Sequence, residues 1–79
     1  MAKPTPNVIT NVSLLQAAID ESGLSPTALA AAWGMSIPTY YSRKSGQSEF
    51  TASEIVAATV SLKLTRNRRD QIFLGASVN

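Results

Sequence analysis

The chain has 79 residues, enough for one small domain, and 44% of them are apolar and 15% charged. That balance suits a folded globular domain and argues against disorder over most of the length. Cysteine and histidine are both absent, which excludes a disulfide framework, a thiolate metal site and the commonest general base together. A net charge of +2 permits a polyanionic partner without requiring one.

No stretch approaches the roughly 18–20 apolar residues that span a bilayer; the longest weakly polar run, Ala28 to Met35, is half alanine and far too short. The first residues carry one lysine, two prolines and no apolar run, so a secretory signal is not expected. No membrane contact, metal, cofactor or small-molecule ligand is expected, and the expected location is the cytoplasm.

Residues 1–10 contain Lys3, Pro4, Thr5 and Pro6 and read as a flexible arm. With a single basic residue it is taken as a solvated tail rather than a minor-groove arm. Residues 11–75 form the domain and 76–79 a short tail. From Asn11 the pattern is helical: Val12, Leu15, Ala18 and Ile19 share one apolar face, and Gly23 supplies the stop. Ser25 caps a second helix with Pro26 at its first position, running through Leu29, Ala30 and Trp33 to Gly34. Ser36 caps a third, Ile37 to Lys44, which tolerates Pro38 near its start and closes at Gly46. Thr51 and Glu54 have the spacing of a capping box for a fourth helix carrying Ile55, Val56, Ala58, Thr59, Val60 and Leu62. Thr65 caps a fifth, Arg66 to Leu74, with Ile72 and Phe73 facing inward. The expected fold is all-α, a compact five-helix bundle.

The informative stretch is Leu24 to Gly46. Two short helices must cross closely through a tight turn. Ala30 is small at the expected approach, and Gly34 sits where a positive φ is cheap only for glycine. Leu29 and Trp33 share a face of the first helix, and Tyr40 is placed to plug the same core. These are the requirements of a helix-turn-helix, whose second helix enters the major groove by its N-terminal part.

The landmarks Gly23-Leu24-Ser25, Leu29-Ala30, Gly34-Met35-Ser36 and Gly46 make the chain resemble the Cro and repressor-type helix-turn-helix proteins of bacteriophages and bacteria, the XRE family. Tyr40-Tyr41 through Gly46-Gln47-Ser48-Glu49-Phe50-Thr51 with Glu54-Ile55, and Leu64-Thr65 to Arg69-Asp70-Gln71-Ile72-Phe73, are similar to a phage-associated subgroup of small regulators. The resemblance covers roughly residues 12–74 and implies a lambda-repressor-like five-helix fold, in a bacterial or phage-infected host cell. The chain departs from the subgroup at Lys44, which stands where an aliphatic residue is usual beside Arg43. One of the two must bury its stem and carry its charge to the surface. The third helix also lacks the glutamines and arginines that often read bases in the family, and Pro26 and Thr27 replace a usual polar phosphate contact.

With Tyr40 inward, Ile37, Pro38, Tyr41 and Ser42 face outward and Thr39 and Arg43 lie at the edges. Ile37, Pro38, Thr39, Tyr41 and Ser42 are the expected base contacts, the apolar ones through thymine methyls or sugar edges. Tyr41 has a second reading, a ring half-buried against the bundle. Thr27, Ser36, Arg43, Lys44, Ser45 and Gln47 are the expected contacts to the DNA backbone, which position but carry no sequence information. Lys63, Arg66, Arg68 and Arg69 read as a solvated helix face partly neutralised by Asp70, with a DNA-flanking role as the alternative. Trp33 is expected in the core. Asp20, Glu21, Glu49, Glu54 and Asp70 form no pair with an evident catalytic partner, so an enzyme is not expected.

The resulting expectation is a sequence-specific regulator that occupies a double-stranded DNA operator as a homodimer, since one such domain contacts few base pairs. The chain end (Ile72, Phe73, Leu74 and Val78) reads equally as a dimer surface or as a helix end covering the core. The alternative function is a module of the same fold that binds a partner protein, such as a repressor, rather than DNA.

Overall fold

Four of the five helices begin at the side-chain oxygen expected from the sequence, and the first begins at Asn11 in the same way. The computed structural model describes residues 10–74 and contains α1 (Val12–Ser22), α2 (Pro26–Trp33), α3 (Ile37–Ser45), α4 (Ala52–Ser61) and α5 (Arg66–Phe73). Asn11, Ser25, Ser36, Thr51 and Thr65 stand at the five N-caps, and each side chain accepts a hydrogen bond from the backbone N–H three residues on. A cap of this kind contributes about 1 kcal/mol, which matters in helices of eight to eleven residues that are too short to persist alone. The capping box at α4 is complete, with the Glu54 carboxylate accepting from the Thr51 amide at 3.0 Å. Among the described residues no helix is long and apolar enough to cross a membrane.

The helices pack in a closed ring. α1 lies on α3, α3 on α2, α2 on α4, α4 on α5, and α5 returns to α1. The core inside this ring is built from Leu15, Ala18 and Ile19 of α1, Leu29, Ala30 and Trp33 of α2, Tyr40 of α3, Ala58 of α4, and Ile72 and Phe73 of α5, with Phe50, Leu62 and Leu64 from the connections. The start of the fold is tied to its end by the Asn11 amide, which donates to the Ile72 carbonyl at 2.7 Å.

Burial decides between the two readings of the chain end and adjusts details at the start of the domain and on α4. Ile72 and Phe73 are fully buried, so they cover the core and are not available as a dimer surface; Leu74 stays exposed and Val78 lies outside the described residues. Thr10 is buried, so the domain takes in the last residue assigned to the arm, whose other nine residues lie outside the described range, as does the tail at 76–79. Val12 is partly exposed rather than central to the α1 apolar face, and Val56 and Val60 point to solvent at 63% and 72% exposure.

α1, α2 and α3 each end on a glycine in the left-handed region, and α4 does not. Its last turn closes through Leu62, and Lys63 takes φ 54° while the Leu64 amide reaches back to the Thr59 carbonyl. That geometry favours glycine, and an L-residue there costs roughly 1–2 kcal/mol. Lys63→Gly is therefore expected to stabilise the protein, by about 0.5–1 kcal/mol once glycine's extra unfolded-state entropy is counted. A chemical denaturation midpoint that falls instead of rising would show that the lysine ammonium near the α4 C-terminus outweighs the backbone strain.

Candidate functional site

All five aromatic residues of the chain form one contiguous file. Tyr41 meets Tyr40 edge-on at 5.1 Å between centroids, Tyr40 meets Trp33 at 5.2 Å, Trp33 meets Phe50 at 5.5 Å and Phe50 meets Phe73 at 4.8 Å. The file runs from the core at α5 to the solvent face of α3. Trp33 is fixed further by its indole N–H, which donates to Ser61 Oγ at 2.7 Å. Burial pushes the Tyr40 phenol above its ordinary range, with Tyr41 and Asp20 adding to the effect.

This arrangement anchors α3 through Tyr40, its one fully buried side chain, and presents the rest of the helix outward. α2 and α3 are joined by three residues, Gly34, Met35 and Ser36. Gly34 sits at φ 72° with open space around its α-carbon, so its requirement is conformational rather than steric. The Met35 amide donates to the Ala30 carbonyl at 3.0 Å and locks the turn. Ser36 caps α3 at Thr39 and also donates to the Thr39 hydroxyl at 3.0 Å.

The outward face at the start of α3 consists of Ile37 at 39% exposure, Pro38, the half-buried Thr39 and Tyr41 at 47% exposure. The Tyr41 ring packs against Tyr40, as its reading as a ring half-buried against the bundle expects, and the rest faces solvent, with the Lys44 ammonium 5.5 Å from its centroid. Such a ring is held in place before any partner arrives. Thr27, Ser36, Ser45 and Gln47 are exposed at the ends of α2 and α3, and Lys44 is half-buried.

Two expected contacts are occupied within the fold. The Ser42 hydroxyl is half-buried and shares a 2.9 Å hydrogen bond with Ser48, so it turns away from the face that carries Ile37 and Tyr41. Arg43 resolves the question raised by the adjacent cations. Its Nε and Nη2 donate to the two oxygens of Glu54 at 2.7 and 3.2 Å, and Nη1 donates to Ser48 Oγ at 2.7 Å. The hydrogen bond from Arg43 holds the Glu54 carboxyl below its ordinary value of 4.5 although burial opposes it, and the guanidinium is pushed up in turn. Ser48 and Glu54 are the partners that the sequence reading missed. Eleven residues separate Arg43 from Glu54, and no helical periodicity links positions on different helices. The available signal was the unmatched charge at Arg43 beside a carboxylate whose cap role uses one oxygen.

Two of the four cations in the second basic cluster are paired. Arg68 pairs with Glu21 at 2.9 Å and Arg69 with Asp70 at 2.7 Å. This matches the solvated-face reading, extended by a partner on α1 that the sequence did not indicate. A surface depression of about 440 Å³ lies beside the Arg68–Glu21 pair, with Ser61 and Lys63 on its wall, and contains no residue of α3. Among the described residues, Lys44, Lys63 and Arg66 are the cations outside such pairs. No family model, curated protein or solved structure matches the chain, so a functional reading rests on these residues.

Proposed function

We propose that α2 and α3 act as a helix-turn-helix, that the N-terminal half of α3 lies in the major groove of duplex DNA, and that the protein is a sequence-specific regulator occupying its operator as a homodimer. The observation that carries this reading is the exposed, rigidly mounted face of Ile37, Pro38, Thr39 and Tyr41 at the start of a short helix that a three-residue turn fixes against its neighbour. Apolar and hydroxyl groups of this kind suit thymine methyls and base edges. Thr27, Ser36, Lys44, Ser45 and Gln47 are placed to hold the DNA backbone, and Ser42 and Arg43 drop out of the contact set. With few unpaired cations the salt dependence is shallow, because each neutralised phosphate steepens it by about 0.9 in the logarithmic slope.

The test is selection of bound sequences from a random duplex library, followed by affinity measurements on variants. Two related half-sites about one helical turn apart are the expected result. Ile37→Ala and Tyr41→Ala each weaken binding to the selected site roughly tenfold, about 1.4 kcal/mol. Ile37→Ala leaves the melting temperature unchanged, since an exposed site carries little stability. Tyr41→Ala lowers it by roughly 4–8 °C by removing the edge contact to Tyr40, worth about 1 kcal/mol.

A second reading is favoured by the pairing of Arg43 with Glu54. It leaves the outer face of α3 apolar with Lys44 as its unpaired cation, a composition that also suits a partner protein. Absence of any enriched duplex, with the same Ile37 and Tyr41 variants losing a protein partner, decides for that reading.

A further inference from the structure

Four polar side chains and one backbone amide bind the end of α3 to the start of α4. Ser42 and Ser48 share a hydrogen bond, Ser48 accepts from Arg43, Arg43 donates twice to Glu54, and Glu54 accepts from the Thr51 amide at the N-cap. The Arg43 and Glu54 side chains are 19% and 17% exposed. Arg43 is the single guanidinium on α3, and guanidinium–phosphate contacts are the usual source of sequence-independent affinity for DNA.

We infer that Glu54 is a positioning residue that sets specificity by holding Arg43 against the α3–α4 junction and away from DNA phosphates. The inference rests on reading α3 as the helix that contacts DNA. Three of the five N–H donors of the guanidinium are already used. A phosphate competing for the Nε–Nη2 edge must displace a carboxylate that already binds both donors, and it meets the negative charge of Glu54 as it approaches. The side chain is also largely covered, so it cannot swing outward without breaking the bond to Ser48. Recognition is thereby left to Ile37, Pro38, Thr39 and Tyr41, which discriminate between bases, while the cation that would tighten binding to every duplex is withheld. Specificity is the ratio of the two affinities, so withholding a phosphate contact raises it without adding any contact to a base.

Glu54→Gln separates this role from capping. Glutamine at the third position of a helix still completes a capping box, so the Thr51 amide keeps its acceptor while the charge that restrains Arg43 is removed. The experiment measures binding of the full chain to the library-selected duplex and to an unrelated duplex over a range of salt, with thermal melts confirming that each variant is folded. For Glu54→Gln the expected result is a several-fold tightening on the unrelated duplex at low salt, a logarithmic salt slope steeper by about one, and a lower ratio of selected to unrelated affinity. Adding Arg43→Gln returns the slope to the wild-type value. Arg43→Gln alone leaves the wild-type slope unchanged, because the paired guanidinium makes no phosphate contact. A merely structural role for Glu54 weakens both duplexes alike without steepening the slope, and that result overturns the inference. So does a slope that falls by about one in Arg43→Gln, which would place Arg43 on a phosphate in the wild type. Wild-type protein that binds no duplex overturns the DNA reading and this inference together, whereas wild-type binding with either adverse result overturns this inference alone.

Discussion

Tyr40→Ala leaves the protein largely unfolded at 37 °C. The ring is fully buried and is the main anchor of α3 in the core. Removing a buried aromatic of this size costs about 3–5 kcal/mol in lost burial and residual cavity. A small domain has only about 5–15 kcal/mol to lose, and a chain this short lies near the lower end. The cavity is poorly placed to collapse, because its walls are other rings: Trp33 on one side and Tyr41 on the other, at 5.2 and 5.1 Å. The single tryptophan of the chain reports the change directly. Its emission shifts from that of a buried indole bonded to Ser61 to that of an exposed one, at a denaturant concentration far below the wild-type midpoint. Tyr40→Phe keeps the ring and is expected to lose little. A Tyr40→Ala variant with a melting temperature close to that of the wild type would mean that α3 is held from elsewhere, and the ring file would then not be what fixes the candidate face.

The fold was legible in the sequence wherever structure is local. Asn11, Ser25, Ser36, Thr51 and Thr65 announce helix starts because each side-chain oxygen satisfies an amide three residues away. Gly23, Gly34 and Gly46 announce helix ends because their backbone angles exclude most other residues. Leu29, Trp33 and Tyr40 were readable as core from their spacing, and so was the outward direction of Ile37 and Tyr41. Lys63 was not readable as a helix end, because it occupies a position where chemistry prefers glycine.

Contacts between helices were the hidden part. Ile72 and Phe73 carry the same periodic signal whether they cover a core or face a second copy. Only the ring of helices, in which α5 closes onto α1 and α4, decides between these. Val56 and Val60 illustrate the converse: apolar residues in a helix did not have to be core, since they lie opposite the buried Ala58. Arg43 and Ser42 seemed free to reach DNA because a single helix shows only its own two faces. Their partners Glu54 and Ser48 come from the loop and helix that follow, and those partners reassign both side chains.

Glu54→Ala is expected to produce the largest loss of stability of any substitution at a partly exposed polar position. One carboxylate serves two structures, accepting from the Thr51 amide at the α4 N-cap and from two nitrogens of Arg43. Alanine removes both functions and leaves Arg43 with Ser48 alone. A lost cap interaction and a lost charge-assisted pair together cost about 2 kcal/mol, which lowers the melting temperature of a domain this size by roughly 8–16 °C. Glu54→Gln, which keeps the cap, is expected to fall about halfway between the two. Acidification supplies an independent check with a definite sign. The folded carboxyl is held below its ordinary value of 4.5, chiefly by the hydrogen bond from Arg43. Its contribution is therefore fully present above that ordinary value and disappears as the pH falls through the lower folded value. Wild type and Glu54→Ala should differ most at neutral pH and converge in acid. If the two already melt within a few degrees of each other at pH 7, the pair contributes no more than an exposed ion pair would. The orientation of α3 would then be owed to the aromatic file alone.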